Sequence, residues 1–560
     1  MRVLVVPQGN DGWKEKRRLW EEIIASRPKP PYIYNDILVI VPSSRMKRAY
    51  GRMLLDIVQI KFGAAALVPP EIRTLHQHFE RLYAPLQGPR LIDENSRIIL
   101  LEGIVKGHLT SGHLFGQKPD LLAPALSAAL AKMIEQLSAA GVSADELARR
   151  IMGEDFSDKP QVMLLIAVYR DYERELKYRN ITDPAGMRMH LQTHVESGAL
   201  AGYTRIILDG IHDAGKIETD ILRKTAVREN CTCIVQATSA ELITKASVFH
   251  PLSLTKDFLS QLGAAPEAGG DAPDAGERFL SSVLFSERAF ETSSAEAPDP
   301  LSFSKDIRLL STVNAREEVS LIASGVKQSL KQGTLPDSVL VAFPGLDEYA
   351  PLVEEIFTDY GIPYNRALGR QLSTSPVAAA VVSLLRACQE DFSGPSLLRI
   401  FSSALLKFGE TPELAPALDR FIRHSRITGG KHKLLSALRH HVPGKEGNDS
   451  ICGPLEDLFD VLEPFSRKDT APLSVWMDRF SHLMTWAGVG ARVALIRGPL
   501  NINLQAFNKM QDTLTSLSQA GKLFPDYRYT FPEWFFLLKR TFMHTRYQVP
   551  PEDEGGVQIL

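Results

Sequence analysis

No apolar run in this chain reaches the roughly 18 residues that a membrane-crossing helix needs. The N-terminus, "MRVLVVPQGNDGWKEKRRLW", has only a strand's length of apolar residues before Gly-Asn-Asp-Gly and charges, and does not read as a signal peptide. Cysteine is scarce, with four in 560 residues. Cys231 and Cys233 lie in "CTCIVQA", where strand geometry puts both on one face; Cys388 and Cys452 are isolated. A lone C-x-C without a second pair is a weak zinc signal, so all four are read as core thiols of an intracellular, cytoplasmic protein. An excess of one charge is also missing. Lys and Arg number 64 against 66 Asp and Glu, so any nucleic-acid surface must be local. No Ser-His-Asp or Gly-x-Ser-x-Gly arrangement is present, which argues against a hydrolase.

What is present is average soluble composition, 44% hydrophobic and 23% charged, over a length suited to roughly three or four domains of about 150 residues. The first part alternates strands and helices. "RVLVVP" is followed by the helix "WKEKRRLWEEIIAS", the apolar strand "DILVIVP" by the helix "SRMKRAYGRMLLDIVQI", and "PPEIRTLHQHFERLY" adds a short strand running into a helix. Such alternation predicts an α/β fold with a parallel sheet covered on both faces. From Asp93 to Ala199 only helical spacing is found, with "SADE" as a capping box. Strand character then resumes at "RIILDG" and "CTCIVQA", so residues 93–199 read as a helical insertion into one domain made of 1–92 and 200–263.

Residues 264–305 have linker composition. A second alternating region, 306–388, begins with "IRLLSTV" as a strand and "SVLVAFP" as another; 389–550 is again mainly helical. The closing 551–560, with "GGVQIL", reads as a returning strand that lacks a partner and leaves the second core looking truncated.

The stretch "RIILDGIHDAGKIETDILRKTA" poses a question. In P-loop NTPases a hydrophobic strand ends in Asp, which holds Mg²⁺, followed by Glu, which orients water. Here Asp209 is followed by Gly210, a pair that is also ordinary turn punctuation. A phosphate-binding loop needs Gly-x-x-x-x-Gly-Lys-Ser/Thr. After the first strand stands only "PQGNDGWKEK", with Gly9, Gly12 and Lys14 but no Gly-Lys-Ser/Thr.

Two strand-rich regions, each interrupted by helices, resemble the plan of superfamily 1 helicases, with two RecA-like P-loop-type domains each carrying a helical insertion. "ILVIVPSSRMKRAYGRML" resembles the strand-loop-helix by which those helicases hold DNA phosphates, and "IRTLHQHF" their next DNA-contacting element. "LSTVNAREEVSLIASGVKQSL" through "FTDYGIPY", and "ILDGIHDAGKIETDILR", are most similar to the B subunit of bacterial AddAB-type helicase-nucleases. There an Asp-Gly replaces the Asp-Glu of working motors.

The resemblance implies a catalytically inactive helicase-like subunit of a DNA double-strand-break repair and recombination complex. It implies single-stranded or unwinding DNA and an AddA-like ATPase as partners, and no ATP cofactor. Here "VLVAFPG" ends in Phe343-Pro344, where a second-domain motor strand usually ends near an Arg that reaches the γ-phosphate. Subunits of this type continue into a PD-(D/E)XK nuclease with an iron–sulfur cluster and Mg²⁺; those groups are expected only outside this sequence, and no cysteine here is assigned to a cluster. This chain by itself is expected to have no activity.

Ser43, Ser44 and Arg45 are the first DNA-contact candidates, at a strand end that opens a helix. Thr74 and His76 follow, by resemblance. Arg420 to His441 holds six Lys or Arg, four His and no acid. Arg423, Arg426, Lys431 and Lys433 are its phosphate-contact candidates, a solvated surface being the other reading and metal not expected. Trp13 and Trp20, seven apart, and Trp534, Phe535, Phe542 and Tyr547 are read as core. Two further readings remain open at this point: an active helicase with divergent motifs, or a scaffold with a helicase fold and no DNA contact.

Overall fold

The computed structural model describes residues 1–6, 10–26, 32–63, 67–111, 119–154, 159–212, 214–227, 229–237, 240–246, 250–266, 308–366, 369–439, 449–466, 469–496, 501–548 and 555–560. The expected linker therefore lies almost wholly outside the described residues. The chain divides into two compact units, Met1–Ile92 with Leu130–Ser311, and Asp93–Ala129 with Thr312–Leu560.

The first unit is organised by five strands, β1 (Arg2–Val6), β2 (Ile37–Val41), β3 (Glu71–Thr74), β6 (Arg205–Asp209) and β7 (Cys231–Gln236), all parallel in the order β1-β7-β6-β2-β3. Two-residue strands β4 (Arg90–Leu91) and β5 (Ile181–Thr182) pair separately. Every side chain of β2 is buried, as the apolar run "ILVIV" requires of a central strand covered on both faces. Alternation sorts the residues. Val39, Val41, Ile207 and Ile234 pack with α1 (Asn10–Ala25) and α2 (Ser44–Phe62), through Trp20, Ile23, Tyr50 and Leu54. Leu38, Ile40, Leu208, Cys231 and Cys233 pack on the other face with Phe79 of α3 (Leu75–Tyr83) and with Ile221. Burial pushes the Cys233 thiol far above its ordinary pKa. The expected α/β fold with a doubly covered parallel sheet is what the chain forms.

Two sequence expectations change in the second unit. The described residues of "IRLLSTV", 308–313, form no strand: Leu309 and Val313 are 100% and 88% exposed, and the helix Ala315–Lys331 starts at once from its Asn314 cap. The closing strand is not partnerless. Val557–Ile559 is the centre of a parallel sheet between β8 (Leu340–Val341) and β9 (Tyr364–Arg366), with Val557 and Ile559 in its core.

The helical stretch 93–199 is also divided, because its first part groups with the second unit. The helix Glu94–Ser111 is fastened there by polar contacts that no hydrophobic period announces. Asn95 donates to Ser516 at 2.7 Å, Lys106 pairs with Glu533 at 2.5 Å and Arg540 with Glu102. Gly103 faces the Tyr527 ring so closely that a Cβ would come within 2.3 Å of it. The body of this unit packs around Trp476 and Trp534, stacked at 5.4 Å, and Trp534, Phe535, Phe542 and Tyr547 are all buried, as their sequence reading expects. Among the described residues no helix is long and apolar enough to cross a membrane.

One buried group makes the first unit sensitive to acid. His78, fully buried on α3, lies 3.4 Å from a guanidinium nitrogen of Arg73, which also donates to Glu71 and Tyr203. Burial, then the Arg73 charge, holds the His78 imidazole down to about 3, with Glu71 opposing. The unfolded chain, with its histidine near 6.5, therefore binds the proton first, and stability falls as pH drops from about 6.5 towards 3, by at most about 5 kcal/mol. Urea unfolding of wild type and His78→Gln between those limits checks this; the variant's slope should be shallower by up to one proton's worth, and equal slopes would refute the assignment.

Candidate functional site

In a parallel α/β sheet the strand carboxyl ends and the helix starts that follow them form the binding edge. Strand β7 stands between β1 and β6, so a residue on the helix after β1 meets the end of β6 only by reaching across β7. Lys16 makes that reach. It lies three residues after Trp13 and four before Trp20 on the inward face of α1, and its Nζ is 3.0 Å from Asp209 Oδ1 at the end of β6. Both side chains are 0% exposed. Neither atom meets hydrogen-bond geometry, so the contact is a charge pair first. Tyr50, two turns into α2, donates its hydroxyl to Asp209 Oδ2. Trp13 and Trp20 set their ring edges against Tyr50 at 5.7 and 6.1 Å, and the Lys16 ammonium lies 5.0 Å from the Trp13 ring.

Both Asp209 oxygens are thus engaged from inside. Burial pushes the carboxyl above the usual carboxylate range while Lys16 and Tyr50 pull against it, and the same burial, with Asp209 beside it, raises the Tyr50 phenol well above its ordinary value. A metal–nucleotide needs a carboxylate oxygen facing the ligand at roughly 2.1 Å from the ion. Asp209, with its oxygens turned to Lys16 and Tyr50, offers none.

Of the residues expected from the sequence at this place, Gly9 lies outside the described residues, Gly12 is buried in the first turn of α1 and Lys14 points outward. Lys16 and Tyr50 were not foreseen. The signal for Lys16 was a cation in phase with two tryptophans on an amphipathic helix; Tyr50 had none. Gly210 answers the question its sequence raised. Its φ is +73°, in the left-handed region, and a Cβ would meet Met46 and Pro42 only at 3.5 Å. Conformation, rather than space, selects glycine, and a Glu there is strained.

Around this closed centre the rim is open. Ser43 caps α2, its Oγ accepting from the Met46 N–H at 3.3 Å; Ser44 and Arg45 beside it are exposed. Partial burial and then the neighbouring Arg48 lower the Arg45 pKa. Thr74 pairs in register with Val41 and caps α3 in a reciprocal box with Gln77; His76 is exposed, 3.4 Å from Glu80. Capping uses the hydroxyl oxygens as acceptors, which leaves their O–H groups to donate outward. The sheet register brings Ser43 and Thr74 to adjacent strand ends. The four basic candidates of Arg420–His441 belong to the second unit. Arg423 pairs with Asp419 at 2.9 Å and Lys431 with Glu463 at 2.6 Å, Arg426 ends its helix in the left-handed conformation, and Lys433 is exposed. Lys431 and Lys433 line a cavity of about 810 Å³ with Phe465 and Phe531. Among the described residues no group of three or more His, Cys, Asp or Glu is placed to hold a metal ion.

These features define a parallel α/β protein whose strand-end acid is sealed by a lysine and whose neighbouring strand ends carry exposed hydroxyls and arginine. No family model matches the chain. Curated relatives do. The chain is 23% identical over 376 residues to the B subunit of the ATP-dependent helicase/deoxyribonuclease of Staphylococcus carnosus, covering 64% of this chain and 32% of that protein. It is 23% identical over 447 residues to that of Streptococcus agalactiae (77% and 40%), and 24% over 351 residues to that of Pelotomaculum thermopropionicum (59% and 30%). The chain is a distant relative of this B-subunit family of ATP-dependent helicase/deoxyribonucleases, and it spans about a third to two-fifths of the length of these relatives.

Two substitutions test the geometry. Lys16→Met leaves a buried carboxylate unpaired and should cost about 3–5 kcal/mol in urea unfolding, of which Asp209→Leu in the same chain should return a large part. Gly210→Glu should cost about 1–2 kcal/mol through its left-handed φ and yield no ATP hydrolysis; a stable, ATP-hydrolysing Gly210→Glu protein would contradict the sealed site.

Proposed function

We propose that this chain is a catalytically inactive, helicase-like subunit of a DNA repair helicase-nuclease, built on two RecA-like domains and working in the cytoplasm beside an AddA-like ATPase. It holds or scans single-stranded DNA as the partner unwinds the duplex. The observation that carries the reading is the Asp209 carboxylate, sealed by Lys16 and Tyr50 at the strand end where a working motor presents its metal-binding acid. The relatives' names, which join helicase and deoxyribonuclease in a B subunit, support a role in such a complex. The rim supports a strand-holding role. Ser43, Ser44, Arg45, Thr74 and His76 sit at neighbouring strand ends with donors facing out, where phosphates are bound by hydroxyls, N–H groups and a guanidinium. ATP is not a cofactor of this subunit in this reading, and nuclease chemistry belongs to other sequence.

Anisotropy of a labelled oligonucleotide over a salt series, with and without Mg-ATP, tests it. Affinity should fall steeply with salt and ignore ATP, and Arg45→Ala should weaken binding and reduce the slope of log K against log salt by about 0.7. No binding at low salt would favour a scaffold without DNA contact; ATP-dependent affinity would restore the motor.

A further inference from the structure

Lys16 does more than neutralise one acid. Its ammonium lies against the carboxylate where a bound divalent cation would have to ligate, in space with no solvent access. A divalent cation on the same carboxylate would sit close to the Lys16 ammonium, and their repulsion in this dry space is poorly screened. The position is built for it. Lys16 shares a helix face with Trp13 and Trp20, its charge rests near the Trp13 ring, Trp20 packs against Tyr50, and the other Asp209 oxygen is already taken by Tyr50. The Lys16 and Tyr50 contacts draw α1, β6 and α2 onto a single carboxylate, and α2 is the helix capped by Ser43 whose first turn carries Ser44 and Arg45.

We propose that the Lys16 ammonium is the permanent cation of this site, tethered to the chain, clasping α1, α2 and the end of β6 together with no nucleotide or metal. The proposal rests on reading this edge as a former motor site; it does not depend on DNA being bound. It separates two uses of a buried lysine. A packing lysine can be replaced by anything of its shape, whereas a resident cation can be replaced by another cation.

Thermal unfolding of the full chain distinguishes them. The wild-type midpoint should not move with Mg-ADP or Mn²⁺. Lys16→Ala should unfold several degrees lower and regain about 2–4 °C on addition of propylammonium chloride, which returns an ammonium to the vacated channel, beyond what equal sodium chloride returns. Asp209→Ala should show no such rescue, since the anion that recruits the cation is gone. A wild-type midpoint raised by Mg-ADP overturns the proposal, and so does a folded Lys16→Ala protein indifferent to propylammonium. Should Lys16→Ala not fold, calorimetric titration of wild type with Mg-ADP decides alone: saturable binding refutes the resident cation and its absence supports it. Oligonucleotide anisotropy on the same samples keeps the two readings apart. Lost DNA binding with intact cation rescue would sink the strand-holding role and leave the tethered cation standing.

Discussion

A carboxylate taken out of water must find a counter-charge or lose its own, and the first unit is arranged around that demand at Asp209. The apolar strand β6 carries the acid to its carboxyl end with no solvent access, so compensation has to come from neighbouring elements. Lys16 supplies the charge and Tyr50 the hydrogen bond. A buried pair of this kind adds little net stability over well-packed apolar residues, yet breaking one half of it is expensive. The pair ties α1 and α2 to the end of β6 and engages both oxygens of Asp209 from inside.

The same strand order that makes the reach of Lys16 necessary also gathers the rim. Parallel strands send all their carboxyl ends to one side, and the register of Val41 with Thr74 aligns the starts of α2 and α3. Both starts are capped by hydroxyl residues, so groups that close the helix backbones also face outward. The edge thus has a dry, self-satisfied centre beside a wet rim of donors.

In the second unit a different constraint dominates. The closing strand Val557–Ile559 comes from the end of the described chain and sits between two strands far earlier in sequence. The helix Glu94–Ser111 joins that unit through Asn95, Glu102, Gly103 and Lys106, from a distant part of the chain. Contacts of such long sequence separation are costly in loop entropy, and they are repaid only by extensive burial around Trp476 and Trp534.

Period and punctuation made much of this legible. The apolar run of β2, the one-sided cysteines of β7, the Ser143 cap in "SADE" and the buried aromatics before residue 548 are local signals with local physical causes, and the structure carries each of them. The strand expected at "IRLLSTV" failed because apolar alternation marks what a strand can bury and cannot supply the neighbour that buries it. The division of residues 93–199 was hidden for a related reason, since a helix states which face is apolar but not which body receives it. Asp209 followed by Gly210 was visible as a departure from a motor site; the lysine that seals it was not. Sequence by itself determined the alternating α/β plan and the turn at Asp209-Gly210, both set by interactions within a few residues. Only the tertiary structure decided that Lys16 and Tyr50 meet at one carboxylate, because charge pairing across separate elements depends on strand order and distance, which no local pattern encodes.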